Sequence, residues 1–277
     1  VLSNGYGITF GSCTDIDIEY NEIAWNRADG LDITGTTSAN SSYITVRNNY
    51  IHDHYLWAHP DGVQTYNSDG TANIAVHDVW FDSNAIIASG QGFMMAELDE
   101  AHLVNNLIMC STTYILNGGA TNTEYLGNTI GFSGYGIMSL TSGETGCTLK
   151  NNIFYTGHDN MLIGFATADT VSNYNLFFQG PGLTNYHLFQ YLDTYYNSLA
   201  TYVTASGDDA NSLNVDPLFV NAPAYYDMCD AELLPQFTTS RVYVTHGTST
   251  FAVNDHIEYN LDGVVRQVTA VGTNYIE

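Results

Sequence analysis

Nine side chains able to move protons, hold a cation or orient a ligand fall between positions 27 and 64: Arg27, Asp29, Asp32, His52, Asp53, His54, His59, Asp61 and Gln64. Two further carboxylates, Glu97 and Asp99, follow shortly after. The phrase Asp29-Gly30-Leu31-Asp32-Ile33 aligns with Asp61-Gly62-Val63-Gln64-Thr65. If the two segments are neighbouring strands, Asp29 lies beside Asp61 and Asp32 beside Gln64, the latter pair facing away from the core. Crowded carboxylates either raise one pKa, leaving an acid beside a base, or recruit a cation. Cleavage of a glycosidic bond uses two carboxyl groups in the first way. On that reading Asp61 is the general acid or base, Asp32 or Glu97 its carboxylate partner, and His59 the orienting or proton-relaying group. Asp29, Gln64, His52 and His54 then contact the ligand. The second way places Ca²⁺ at Asp29 and Asp61. His52 and His54, with His59 or Asp61, also have the chemistry of a transition-metal site, though not the usual closed spacing.

The elements that must position these groups are announced by one phrase written seven times: Asn, any residue, then Ile or Phe. It begins at Asn21, Asn49, Asn84, Asn106, Asn128, Asn152 and Asn175, at intervals of 28, 35, 22, 22, 24 and 23. A period in the low twenties, with several short strands and no helical spacing, indicates a β-solenoid. Apolar residues recur three before the Asn (Ile18, Val46, Phe81, Leu103, Tyr125, Leu149), as on a strand with one buried face. The Asn is expected in the αL turn between two strands, with its amide bonded along the stack. The two long intervals hold the chemistry-bearing cluster, and insertions in a solenoid become loops on one face. Trp80 and His102, each four before an Asn, are predicted neighbours, and an exposed Trp on a sheet can stack a sugar ring. Glu19, Arg47 and Asp82, two before an Asn, form a charge ladder.

This repeat resembles that of the right-handed parallel β-helix proteins of the pectin-lyase-like superfamily, over roughly residues 1–225. Support comes from the stretch after Asn175. A helix-like segment at 189–203 is followed by Gly207-Asp208-Asp209-Ala210-Asn211-Ser212-Leu213 and Val215-Asp216-Pro217-Leu218-Phe219-Val220, an order similar to the C-terminal coils of many secreted bacterial members. The resemblance implies an all-β parallel solenoid of about seven or more coils over 1–235. A small antiparallel module over 236–277 is read from Val242-Tyr243, His256-Ile257-Glu258 and Val264 to Val268, with Asp262-Gly263 as a hairpin turn. The superfamily hosts lyases, hydrolases, epimerases, tailspikes and adhesins, so the fold assigns no chemistry. The pectate lyase calcium phrase is one residue longer than Asp29 to Ile33, and the polygalacturonase phrases are missing.

Composition narrows the partners. Five Lys and Arg stand against 29 Asp and Glu, a net charge of −24. Nothing neutralises a phosphate backbone, so nucleic acid is excluded as a partner. Polyuronates are repelled at long range unless Ca²⁺ bridges them. Cys13, Cys110, Cys147 and Cys229 are too scattered for a disulfide scaffold. No apolar run is long enough for a membrane span. The expectation is an extracellular protein acting on a polysaccharide or oligosaccharide, by hydrolysis. One alternative is elimination, with His52, His54 or Tyr55 as base, Arg27 or Arg47 on the substrate carboxylate, and Ca²⁺. The other is a non-catalytic glycan-binding or fibre shaft. Coil ends need caps, which predicts flanking domains or a homo-oligomer.

Overall fold

The computed structural model describes residues 5–54, 60–110, 115–131, 138–140, 145–156, 163–165, 167–179, 188–220, 241–243, 251–258, 264–273 and 275–277. His59, Tyr55, Cys229 and the Asp262-Gly263 turn lie outside them. The chain winds as a parallel β-solenoid with three sheets. Sheet A has nine strands, including Ile8–Gly11, Leu31–Gly35, Asp61–Asn67 and Gln91–Ala96 in that spatial order. Sheet B has seven, from Thr14–Glu19 to Val171–Asn173, and sheet C has eight. Each coil runs A to B to C, and the pairing is parallel from coil to coil. The inward rows are apolar and sealed: Leu31, Ile33, Val63, Phe81, Phe93 and Phe154 have no exposed surface.

The seven Asn side chains form the ladder along the B–C corner. The backbone N–H of Asn84 donates to Asn106 Oδ1 at 2.9 Å, and Asn84 Nδ2 donates to the same oxygen at 3.0 Å and to Val46 O at 2.9 Å. The pattern repeats from Asn21 through Asn152. Every rung thus satisfies buried backbone and side-chain groups that would otherwise cost stability. One expectation is corrected here. The αL conformation belongs to the residue before each ladder Asn: Tyr20, Asn48, Ser83, Asn105, Gly127, Asn151 and Tyr174, all with φ between 55° and 67°. That residue turns the corner, which frees the Asn side chain to point inward. A second αL column, Asp15, Tyr43, Asp78, Glu100, Asn122 and Gly146, bends sheet B in the same register on six successive coils.

The ladder ends on the Gly207 to Leu213 motif. Asn175 N–H donates to Ser212 Oγ at 2.8 Å and its Nδ2 to Asp209 Oδ1 at 3.0 Å. The helix-like reading of 189–203 is also corrected. Phe189–Tyr191 and Thr194–Tyr196 are an antiparallel hairpin whose turn residues, Leu192 and Asp193, are both αL. The helix spans Leu199–Ser206, from the Ser198 cap to the αL Gly207. It seats the fully buried Tyr202 on Phe189, with ring centroids 4.8 Å apart, and so closes the core. Further along, Val242–Tyr243 pairs antiparallel with Tyr275–Ile276, and His256–Glu258 with Val265–Gln267.

Candidate functional site

Leu31 pairs with Val63, Asp32 with Gln64 and Ile33 with Thr65, so the anticipated register of the two Asp-Gly phrases holds. The phrases enter sheet A through a column of glycines at 7, 30, 62 and 92. A Cβ on Gly30 would lie 2.7 Å from Gly62 O and 2.4 Å from His54 Nε2; one on Gly62 would lie 2.7 Å from Gly92 O. Only glycine lets the coils approach this closely. The residues before these glycines therefore stack as well. Asp61 N–H donates to Asp29 Oδ1 at 2.7 Å, Gly30 N–H donates to Asp61 O at 2.9 Å, and Gln91 pairs with Asp61 on the following coil.

This row is buried. Asp29 is 6% exposed, Asp32 2% and Asp61 0%. Burial and the neighbouring Asp29 push the Asp61 carboxyl up to about 8. Asp32 lies one pleat along, on the outward side of sheet A. Burial is the main cause of its rise to about 6; Thr9 opposes the rise and Asp29 adds to it. Thr9 Oγ1 donates to Asp32 Oδ2 at 3.0 Å, whereas Asp32 Oδ1 has no partner among the described residues. Tyr66, two residues beyond Gln64 on the same face, is shifted upward by burial and then by Asp32, Tyr6 and Asp29. Two carboxyls raised by burial, Asp32 and Asp61, thus share Asp29 as a neighbour that raises them further.

His54 is 2% exposed, and its Nδ1 lies 3.3 Å from Asn26 Nδ2. The two groups share one hydrogen bond, and His54 Nε2 lies against Gly30. Burial, then His52, lowers its pKa to about 3, so the ring is neutral. His52 faces the outer side of sheet C, stacked on Tyr50 at 3.8 Å and paired with Asp53 at 2.8 Å and Glu22 at 3.2 Å. Burial opposes its charge, but those two carboxylates outweigh it and raise the pKa.

Not every anticipated residue joins the cluster. Asp61 is fully enclosed, so it offers a ligand no surface and acts through Asp29. Glu97 follows the Gln91–Ala96 strand, whose first residue pairs with Asp61. It therefore stands ~20 Å away along the strand and cannot be the partner of Asp61. Its carboxylate accepts from Asn67 N–H at 3.4 Å. Gln64 is held by Met94, its Nε2 lying 2.9 Å from Sδ. Arg47 is bound to Glu19 on sheet B at 2.6 Å, and Trp80 is on that sheet too. Among the described residues no three His, Cys, Asp or Glu side chains converge to hold a metal ion. A surface hollow of about 400 Å³, lined by Asn151, Tyr174, Asn211 and Leu213 among others, lies at the B–C corner of later coils, away from these carboxyls.

Thr9, Asn26, Tyr66 and Gln91 belong to the cluster and were not anticipated. The repeat contains signals for two of them. Asn26 precedes His54 by 28 residues, the Asn21 to Asn49 interval, and Gln91 precedes the glycine that aligns with Gly30 and Gly62.

No curated protein matches the chain in sequence. The A-module of mannuronan C-5 epimerase AlgE6 from Azotobacter vinelandii is a similar solved structure, at 13% identity and a TM-score of 0.47. The match covers 73% of this chain and 53% of that one, so the chain spans about half the length of the module. The family described as "Right handed beta helix region" matches residues 1–154, more than half of the chain. With parallel sheets, an internal Asn ladder and inward apolar rows already in place, that match settles the family: the chain belongs to the right-handed β-helix proteins.

Proposed function

We propose that this protein cleaves a glycosidic bond of an extracellular polysaccharide by hydrolysis, on the outward face of sheet A over its first three coils. The observation that carries this reading is Asp32. One of its oxygens is fixed by Thr9, the other has no partner among the described residues, and the carboxyl is poised near 6 beside Asp29. A general acid needs a pKa near the working pH, and two carboxyls in unlike environments divide the acid and base roles. Asp32 is itself only 2% exposed, so the glycan must uncover it on binding; once uncovered, it gives its proton to the glycosidic oxygen as the bond to the anomeric carbon breaks. Asp29 takes a proton from the water that adds to that carbon, so the products gain one water in total. Asp61, neutral and sealed, holds Asp29 in place through its backbone N–H.

Hydrolysis is preferred to elimination because the paired carboxyls supply its acid and base directly. Of the two arginines an elimination could use on the substrate carboxylate, Arg47 is committed to Glu19 on another sheet, which leaves Arg27, exposed two residues before Asp29. The net charge of −24 also disfavours a polyuronate. The convergence of Asp29, Asp32, Asp61 and His54 supports a catalytic site over a bare shaft.

Digestion of a panel of neutral and acidic glycans tests this, read by new reducing ends and by ultraviolet absorbance of unsaturated products. Reducing ends without absorbance are expected. Asp32→Asn should lower turnover by ~10²- to 10⁴-fold with little change in melting temperature. Unsaturated products, or full turnover by Asp32→Asn, would sink the proposal.

A further inference from the structure

The outer face of sheet B carries one aromatic ring set up as a platform. Trp80 is 44% exposed. His102, its partner on the next coil, stacks against one face of the indole with centroids 4.0 Å apart and planes at 19°. His102 is itself fixed, its Nδ1 lying 2.8 Å from Glu124 Oε2 on the coil beyond. The row Trp80, His102, Glu124 thus holds the indole in one orientation from one side. On the other side the row steps down to Thr45 and then Asp17. Thr45 is too short to cover an indole, so the second ring face opens onto a notch. Arg47, paired with Glu19 at 2.6 Å, and Asp82 border the notch one row along.

A rigid aromatic face rimmed by charged donors and acceptors fits a ring that is apolar on its face and polar at its edge. That is the description of a hexopyranose. A protein partner fits poorly: among the described residues around Trp80, Asp17, Thr45, Arg47, Asp82 and Glu124 are polar or charged, and Tyr43 is the one other large exposed ring nearby. A polyanion fits poorly against the net charge of −24.

We infer that sheet B carries a second carbohydrate-binding site, in which Trp80 stacks a sugar ring of a neutral polysaccharide above Thr45. The site is on a different sheet from Asp32 and does not depend on the reading of that carboxyl. It would hold the polymer while another segment reaches sheet A.

Native affinity electrophoresis tests this, using gels containing laminarin, galactomannan or xyloglucan, with alginate as the polyanionic arm. The wild-type chain should be retarded by at least one neutral glycan and not by alginate. Trp80→Ala should weaken that retardation about ten-fold, and Trp80→Phe should restore part of it, with unchanged circular dichroism. If Trp80→Ala fails to fold, His102→Ala decides: the indole stays but loses its backing, so retardation should weaken. Full retardation in either folded alanine variant, no retardation of wild type by any neutral glycan, or stronger retardation by alginate would overturn the inference. Cleavage of short soluble oligosaccharides should be the same in wild type and Trp80→Ala, which separates this site from the one on sheet A.

Discussion

The coils from Asn84 to Asn175 and those from Asn21 to Asn84 bury polar groups in opposite ways. In the regular coils each buried Asn satisfies its neighbours, with rung distances of 2.9 to 3.1 Å. In the long coils the same ladder continues unchanged at the B–C corner. Their extra residues enter at the two ends of sheet A: between Ala24 and Leu31 and between Gly35 and Ser41 in the first, between His52 and Asp61 and between Asn67 and Val76 in the second. There the chain buries carboxyls side by side, and their protonation shifts to compensate. A ladder whose bonds are internal to one corner tolerates insertions elsewhere. In the long coils the destabilising chemistry gathers at the end of sheet A that the glycine column lets pack tightly.

The largest loss of stability should come from breaking the ladder itself. Asn106→Ala removes two donated bonds, to Phe81 O and Asn128 Oδ1, and the acceptor for the Asn84 N–H and side chain. All these groups are buried, so about 4 kcal/mol of stability should be lost in urea unfolding. Asn21→Ala, at an exposed rung, should cost about 1 kcal/mol. Equal losses at the two positions would show that burial of the rung is not what matters.

Next is the pH dependence that separates the two regions. The Asp61 carboxyl sits at about 8 when folded, against 3.8 for an ordinary Asp. Between these values the folded chain holds a proton that the unfolded chain has released. Stability therefore falls as pH rises from about 4 to 8 and levels off above. Asp61→Asn mimics the neutral form, so it should flatten the slope. At pH 8 it should exceed wild type by up to ~5 kcal/mol, and at pH 4 the two should be nearly equal. Melting curves across pH check this; a parallel slope in the variant would remove Asp61 as its cause.

Neighbours were legible in the sequence; depth and conformation were not. Regular Asn spacing and the aligned Asp-Gly phrases placed Asp29 beside Asp61 and Trp80 beside His102, because strand pairing in a solenoid follows from register alone. The enclosure of Asp61 depends on how closely coils pack at the glycine column, which spacing does not encode. Glu97 follows its strand as the sequence indicates, but pairing it with Asp61 ignores the length of strand that separates the two ends. The αL corner was attributed to Asn because Asn tolerates it. The residue that adopts it varies from Tyr to Ser to Gly, since its side chain points outward and only its backbone is constrained. The hairpin at 189–196 was hidden because its turn, Leu192-Asp193, lacks the usual Gly.

The smallest and most specific test concerns Thr9, which no motif singled out. Its hydroxyl donates to Asp32 Oδ2 and opposes the burial that raises that carboxyl. Thr9→Val keeps the shape and removes the donor. The loss of one bond from an exposed strand residue should lower stability by no more than about 1 kcal/mol. The effect on Asp32 should be larger in relative terms: with Thr9 gone, burial acts unopposed and the carboxyl rises further above 6. If Asp32 is the proton donor, hydrolysis is lost as it ionises, so the alkaline limb of the pH–rate profile should lie near 6 in wild type and move to higher pH in Thr9→Val. The melting temperature should at the same time keep falling to a higher pH than in wild type, since the folded chain keeps its extra proton over a wider range. A purely structural Thr9 would lower stability at all pH values alike and leave the limb where it was. A limb that moves without a comparable loss of stability ties the hydroxyl to the protonation of Asp32, and with it the buried carboxyls of the long coils to the chemistry proposed for sheet A.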